Sequence, residues 1–286
     1  MKKVGFIGIG IMGRSMAINL MKAGFEVSVY TRSKHKIEDF LQETGAKWCE
    51  NPADCAKGQD AVITIVGYPK DVEDVYFGEN GILAGADEGT YLIDMTTTDP
   101  RLAVRIAEEG KAKNLHVLDA PVSGGDTGAK AGTLSIMVGG VEEDFNACLP
   151  LFEAMGKTIV YEGPHGAGQH TKMANQIAIA GALSGVAEAV AYGERMGLDT
   201  DRMLKSIEKG AAGSFQMSGN GHKMVDKDDA AGFFMKHFVK DMKIALAQSS
   251  EELPILAKVC AMCEALEEKG LGDLGTQAII HHYRDK

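Results

Sequence analysis

Over the first half of the chain and a little beyond, short apolar runs alternate with amphipathic stretches. The runs at 3–8, 26–31, 61–66, 90–95, 116–120, 134–138 and 158–161 are rich in Val, Ile, Leu and aromatic residues and predict strands. Between them, apolar residues recur at helical spacing over 12–23, 34–44, 100–113 and 142–155. Strands that alternate with helices imply crossover connections and a doubly wound, mostly parallel sheet. Several runs are almost continuously apolar, as expected where helices cover both faces of the sheet.

The pattern changes at Gly163-Pro164. No strand is predicted after Tyr161. A long helix is predicted over 165–196, and shorter ones over 199–209, 236–249, 254–269 and 276–283. The chain therefore divides into an α/β domain at 1–162 and an all-α domain at 163–286 joined by the long helix. That helix is full of small residues, among them Ala174, Ala178, Gly181, Gly185 and Gly193. Gly181 and Gly185 read either as a membrane dimerisation stripe or as close helix packing in a soluble core. Glu188 and the polar start of the helix favour the core.

Composition adds one unusual feature. Of 286 residues, 35 are glycine, about 12% against an average near 7%. Of these, 23 fall in residues 1–168, so the α/β half needs many tight backbone positions. The net charge of −10 argues against nucleic acid as the main partner, because phosphate backbones are bound through clustered Lys and Arg. Five scattered cysteines suggest no disulfide framework and make a reducing cytoplasm the expected location. The apolar start behind Lys2-Lys3 faintly resembles a signal peptide, but it is short, glycine-broken and interrupted by Arg14. No stretch reaches the ~18 uncharged apolar residues of a membrane span.

The glycines concentrate where chemistry is expected. Gly8-Ile9-Gly10-Ile11-Met12-Gly13 is G-x-G-x-x-G, placed after a predicted strand and at the start of a predicted helix. Gly8 permits the tight turn, Gly10 lets backbone approach a pyrophosphate, and Gly13 lets helix and strand pack closely. Ile11 and Met12 open the helix, whose free N–H groups and positive dipole end favour phosphate. This context predicts a Rossmann-type dinucleotide-binding domain at 1–162. Sites that prefer NAD carry an acid at the end of the second strand. Here that place reads Val29-Tyr30-Thr31-Arg32-Ser33. Arg32 can fork onto a 2′-phosphate with the Thr31 hydroxyl beside it, so NADP is expected over NAD, with NAD still possible.

Two further clusters carry chemistry. Ser123-Gly124-Gly125 joins a hydroxyl to two unhindered N–H groups, a nest suited to a carboxylate, although a plain glycine turn has the same sequence. Lys172 and Asn175 lie three apart near the start of the long helix and share a face. A buried lysine with a lowered pKa can move the proton that accompanies hydride transfer. From spacing alone, a solvated surface lysine fits as well. Cys260-x-x-Cys263 could be a redox pair or half a metal site. However, Leu256, Val259, Cys260, Cys263 and Leu266 follow the stripe of a buried helix face. Adjacent His281 and His282 diverge on a helix, and no metal site is expected.

In their order along the chain, several motifs resemble the β-hydroxyacid dehydrogenase family, which includes 3-hydroxyisobutyrate dehydrogenase, tartronate semialdehyde reductase and glyoxylate/succinic semialdehyde reductases. They are Asp94-Met95-Thr96-Thr97-Thr98-Asp99-Pro100, Asp119-Ala120-Pro121-Val122-Ser123-Gly124-Gly125, Gly168-Gln169-His170-Thr171-Lys172-Met173-Ala174-Asn175 and Phe238-Val239-Lys240-Asp241-Met242. The resemblance implies an NADP-dependent enzyme that interconverts a short 3- or 4-hydroxy acid and its semialdehyde, or reduces glyoxylate-like aldehydes. It makes Lys172 the catalytic acid/base and has Ser123, Gly124, Gly125 and Asn175 bind the substrate. It assigns Val66, Gly67, Thr97 and Lys240 to the cofactor, although the family's usual proline is Gly67 here. Lys240 would reach in from the helical domain. A substrate and oligomerisation role for residues 163–286, in a homodimer or homotetramer, is implied in the same way. Two rivals stand beside this reading. A 6-phosphogluconate-type decarboxylating enzyme shares the early motifs but carries a longer helical domain. A non-catalytic dinucleotide sensor could discard Lys172.

Overall fold

The computed structural model describes residues 1–284. Its contacts divide the chain into two compact units, Met1–Lys172 and Met173–Lys286. In the first unit the order is β1 (Lys3–Ile7), α1 (Ile11–Lys22), β2 (Glu26–Tyr30), α2 (Glu38–Thr44), β3 (Lys47–Trp48), α3 (Pro52–Ala56), β4 (Ala61–Thr64), α4 (Pro69–Phe77) and α5 (Ile82–Gly85). It continues with β5 (Tyr91–Asp94), α6 (Pro100–Lys111), β6 (His116–Asp119), β7 (Val122–Ser123), α7 (Gly125–Ala131), β8 (Leu134–Gly140), α8 (Glu142–Met155) and β9 (Gly156–Gly163). Helix α9 (Ala167–Arg195) runs from the first unit into the second, which adds α10 (Thr200–Ile207), α11 (His222–Asp226), α12 (Met235–Gln248), α13 (Pro254–Leu266) and α14 (His281–Arg284).

The first unit is the doubly wound sheet that the alternation predicts. Its strand order is β3-β2-β1-β4-β5-β6-β8-β7, with β9 paired to β8. Successive residues of each central strand face opposite sides. Phe6, Ile63 and Ile93 enter a core with α1 residues Met16 and Leu20, while Ile7, Val62 and Leu92 enter a second core with Tyr76 and Ile106. Both faces are thus covered, which explains the unbroken apolar runs.

The structure departs from the pattern where the signal is short or where packing overrides it. Strands β3 and β7 have two residues each, too few to show a period. Strand β8 runs antiparallel to β6, pairing Leu118 with Gly140. The single helix expected over 34–44 is a 3-10 turn at Lys34–Lys36 followed by α2, because Ile37 leaves helical geometry (φ −127°) and is buried. The region expected at 276–283 starts as a 3-10 turn, Thr276–Ile280, before α14.

In the second unit, the inner faces of the helices meet around Leu183, Val190, Phe238, Met242, Val259 and Ile279. Helix α9 is long and apolar enough to cross a membrane by length and composition, yet its Ala180, Leu183, Ala187 and Val190 stripe is fully buried in this core. Gly181 and Gly185 differ from the close-packing expectation: a Cβ at either would meet nothing within 4 Å. They fall outside the buried stripe, whereas a Cβ on Gly193 would lie 2.8 Å from Met203 Sδ. Cys260 and Cys263 are buried in α13, and burial pushes their thiols up to about 11 and about 12. Among the described residues, no three His, Cys, Asp or Glu side chains gather as a metal site would.

Candidate active site

Register brings the candidate residues of the first unit to one edge of the sheet. Ile7 is level with Tyr30 and with Thr64, Thr64 with Asp94, and Asp94 with Asp119. The segments that follow these residues therefore all leave the carboxyl ends of parallel strands. The strand order reverses between β1 and β4, where open α/β sheets bind their ligands.

At that point the glycine loop has the geometry its sequence requires. Gly8 takes φ +105° and donates its N–H to Tyr30 O at 2.9 Å. A Cβ on Gly13 would stand 1.9 Å from Gly8 O, so helix α1 seats against β1 only with glycine there. Gly10 caps α1, and a Cβ on it would meet nothing within 4 Å. The outer side of the turn is thus open backbone at a helix N-terminus, flanked by Ile11, which is 52% exposed, and by half-buried Met12. This cradle fits a dinucleotide pyrophosphate. Thr31 and Arg32 follow β2, and Arg32 Nη1 donates to Asp71 Oδ1 at 2.7 Å. Asp71 also caps α4 by accepting from Tyr68 N. Val66 and Gly67 lie beyond the end of β4 rather than in it.

Strand β5 ends on a buried carboxyl. Asp94 Oδ1 accepts from Thr64 Oγ1 at 2.7 Å and from Thr96 N at 3.1 Å, while its buried Oδ2 has no partner. Burial pushes its pKa up from 3.8 to about 6. A raised carboxyl pKa means that the folded state holds the proton more tightly. The contribution to stability is therefore full below about pH 4 and is lost as pH rises through 6. Asp94→Asn should remove that slope. Relative to wild type, the variant should gain up to about 3 kcal/mol in unfolding free energy between pH 4 and 8. Urea midpoints at both pH values check this, and parallel profiles for the two proteins would contradict it.

After β5, Thr96 Oγ1 accepts from Val66 N at 3.0 Å, tying two loops of the edge together. Thr96 and Thr98 are buried and Thr97 between them is partly exposed. Strand β6 ends at Asp119, whose carboxylate accepts from Gly166 N at 2.7 Å and Gln169 N at 2.9 Å, at the start of α9. Burial raises its pKa and the two N–H groups oppose that rise. Lys172 stands in the second turn of α9, beyond the first turn to which a helix-dipole effect is confined. Its side chain is buried, and Nζ donates to Val122 O at 2.8 Å. The next residues are Ser123, Gly124 (φ +132°) and Gly125 (φ +63°). Gly124 caps α7 and Gly125 is its first residue, so their N–H groups have no partner inside that helix. These ties of residues 166–172 to β6 and β7 explain why the first unit extends past the change of pattern at Gly163-Pro164.

In the second unit, Asn175 Nδ2 donates to Gln176 Oε1 at 2.8 Å and Gln176 Nε2 donates to Asp241 Oδ2 at 2.7 Å. Asp241 Oδ1 pairs with Lys240 Nζ at 2.9 Å. Asn175 and Lys240 thus belong to one polar chain. Sequence reasoning assigned nothing to Asp71, Asp94, Asp119, Gln169, Gln176 or Asp241. For the two glutamines the spacing shows only that positions 169, 172 and 176 share a helix face; the structure shows that this face is buried.

Residues 3–163 match the family described as the NAD binding domain of 6-phosphogluconate dehydrogenase, and residues 166–283 that described as NAD-binding of NADP-dependent 3-hydroxyisobutyrate dehydrogenase. An uncharacterised oxidoreductase of Bacillus subtilis is 53% identical over 97% of both chains. The 2-hydroxy-3-oxopropionate reductase of Escherichia coli is 37% identical over 96% of this chain and 93% of its own. A structure of the Mycobacterium tuberculosis 3-hydroxyisobutyrate dehydrogenase with L-serine superposes with a TM-score of 0.89 at 27% identity, covering 99% of both chains. Two matched halves in one order, on the fold and glycine-rich loop described above, make this chain a member of the β-hydroxyacid dehydrogenase family, an NAD(P)-dependent hydroxyacid dehydrogenase.

Proposed function

We propose that the chain interconverts a short 3- or 4-hydroxy acid and its semialdehyde, or reduces glyoxylate-like aldehydes, with NADP preferred over NAD. One observation carries this reading: the buried Lys172 amine is held on the carbonyl of Val122, immediately before Ser123-Gly124-Gly125. A proton-transferring group and a carboxylate nest are thereby adjacent, which suits a substrate whose carbonyl lies a carbon or two from its carboxylate. When bound, the reduced nicotinamide supplies hydride to the carbonyl carbon. Lys172 Nζ gives a proton to the carbonyl oxygen as it becomes a hydroxyl, and takes it back in the reverse direction. Ser123 Oγ and the N–H groups of Gly124 and Gly125 hold the carboxylate, and the family resemblance gives Asn175 the part of orienting the substrate. The glycine loop at Gly8, Gly10 and Gly13 takes the pyrophosphate. Thr97, Val66 and Gly67 line the cofactor, and the family resemblance adds Lys240. L-serine, present with the mycobacterial relative, is itself a 3-hydroxy acid.

A spectrophotometric panel of glyoxylate and of succinic, tartronate and methylmalonate semialdehydes, with NADPH and with NADH, tests the reading. Turnover of at least one, faster with NADPH, is expected. No turnover with any of them would favour a dinucleotide sensor. Arg32 supports the NADP preference. Its side chain is 76% exposed, and a surface ion pair such as that with Asp71 is worth only about 0–1 kcal/mol, so a 2′-phosphate can displace it. Arg32→Asp should lower kcat/KM for NADPH by about 10- to 100-fold and favour NADH. An unchanged preference would sink the assignment.

A further inference from the structure

Gln169 is fully buried, and its amide is used on both sides. Nε2 donates to Thr96 O at 2.7 Å, and Oε1 accepts from Thr98 N at 3.0 Å. The side chain therefore brackets Thr97, replacing for the loop the peptide neighbour it lacks. Its own backbone N–H is fixed by Asp119, at the carboxyl end of β6. Thr96 in turn holds Val66 N. One residue, a turn before Lys172, thus joins the loops after β4 and β5 to the stretch of α9 that carries the lysine.

We propose that Gln169 is a positioning residue for hydride transfer: it holds Thr97 and Lys172 in one frame, so that the cofactor loop and the proton-transferring amine keep a fixed spacing. Two features support this over simple packing. A buried apolar residue would fill the space without the cost of burying an amide. Both halves of the amide are spent on backbone either side of Thr97, the partly exposed residue of that loop. Glu in place of Gln169 would set a carboxylate oxygen against Thr96 O, and Met would make neither bond.

The inference rests on Lys172 as the proton-transferring group, which the Lys172 variants and the aldehyde panel test separately. For the inference itself, Gln169→Met and Gln169→Glu are compared with wild type by kcat, by cofactor Kd and by the isotope effect from reduced cofactor deuterated at the transferred position. Misplacement of a reacting group by about 1 Å can cost 10²-fold, so kcat should fall about 10- to 100-fold in both variants. Cofactor Kd should rise by a smaller factor than kcat falls, because the Gln169 side chain bonds Thr96 O and Thr98 N, on the Thr97 side of the proposed cofactor site, and not the glycine loop that takes the pyrophosphate. The isotope effect on kcat should rise as hydride transfer becomes slower than release. A role in stability alone predicts a lower Tm with kcat per folded molecule and isotope effect unchanged, and that result would overturn the proposal. So would a loss confined to cofactor Kd. If neither variant folds, the wild-type protein decides by hydrogen exchange. The Thr98 amide should exchange as slowly as the Gln169 amide, and rapid exchange at Thr98 would overturn the frame.

Discussion

Lys172→Ala is expected to bind the dinucleotide with nearly wild-type affinity and to lose about 10²- to 10⁴-fold in kcat. The magnitude is that of a general acid/base. Without it, the oxygen of the reacting carbonyl must take its proton from water. The geometry makes water a poor substitute, because the Lys172 side chain is buried and the amine is fixed on Val122 O. Removing four side-chain atoms also leaves a void, so Lys172→Met is the better control: it fills most of that space and removes the ionisable amine. Both variants should lose turnover together. A small alkylamine that fits the void should restore part of it in the Ala variant and none in the Met variant. Near-wild-type kcat in either would refute the role assigned to the lysine.

A second large effect is expected in the glycine loop, where two substitutions separate folding from binding. Gly13→Ala forces a Cβ to within 1.9 Å of Gly8 O and 3.0 Å of Phe6 and Ile65 side-chain carbons. Helix α1 must move away from β1, at the ~1–3 kcal/mol typical of overpacking, and both Tm and cofactor affinity should fall. Gly10→Ala meets no protein atom within 4 Å, so its Tm should match wild type. Its methyl would occupy the side of the turn that backbone must present to the pyrophosphate, and cofactor Kd should rise about 10-fold or more. Thermal scans with and without cofactor read both quantities, since ligand raises Tm only where it binds. A Gly10→Ala protein that binds cofactor normally would remove the pyrophosphate from that face of the turn.

Much of this was legible in the chain because the signals are local. Each strand or helix of the alternation, like the G-x-G-x-x-G turn, is written in one run of neighbouring residues. Gly8 takes the positive φ that glycine favours, and α9 is rich in apolar and small residues over most of its length. The neighbourhood of Lys172 was partly legible, as a lysine and an asparagine three apart. Its burial was not, because spacing on a helix does not say which face is covered.

The partners of the buried polar groups were not written locally at all. Gln169 meets Thr96 across 73 residues of sequence and Asp119 across 50, while Gln176 meets Asp241 across 65. Asp94 owes its raised pKa to the layers that bury it, not to any neighbour in the chain. Arg32 reads from sequence as a phosphate ligand, and only the fold sets Asp71 against it. The two-residue strands β3 and β7 and the antiparallel turn of β8 exist because the sheet offers an edge to pair with. The sequence by itself determined most of the elements, the glycine-rich turn and the residue types available for chemistry, since backbone preference and hydrophobic period act over a turn or two. The tertiary structure alone decided which polar side chains lose water and which backbone groups repay them, since desolvation depends on segments that only folding brings together.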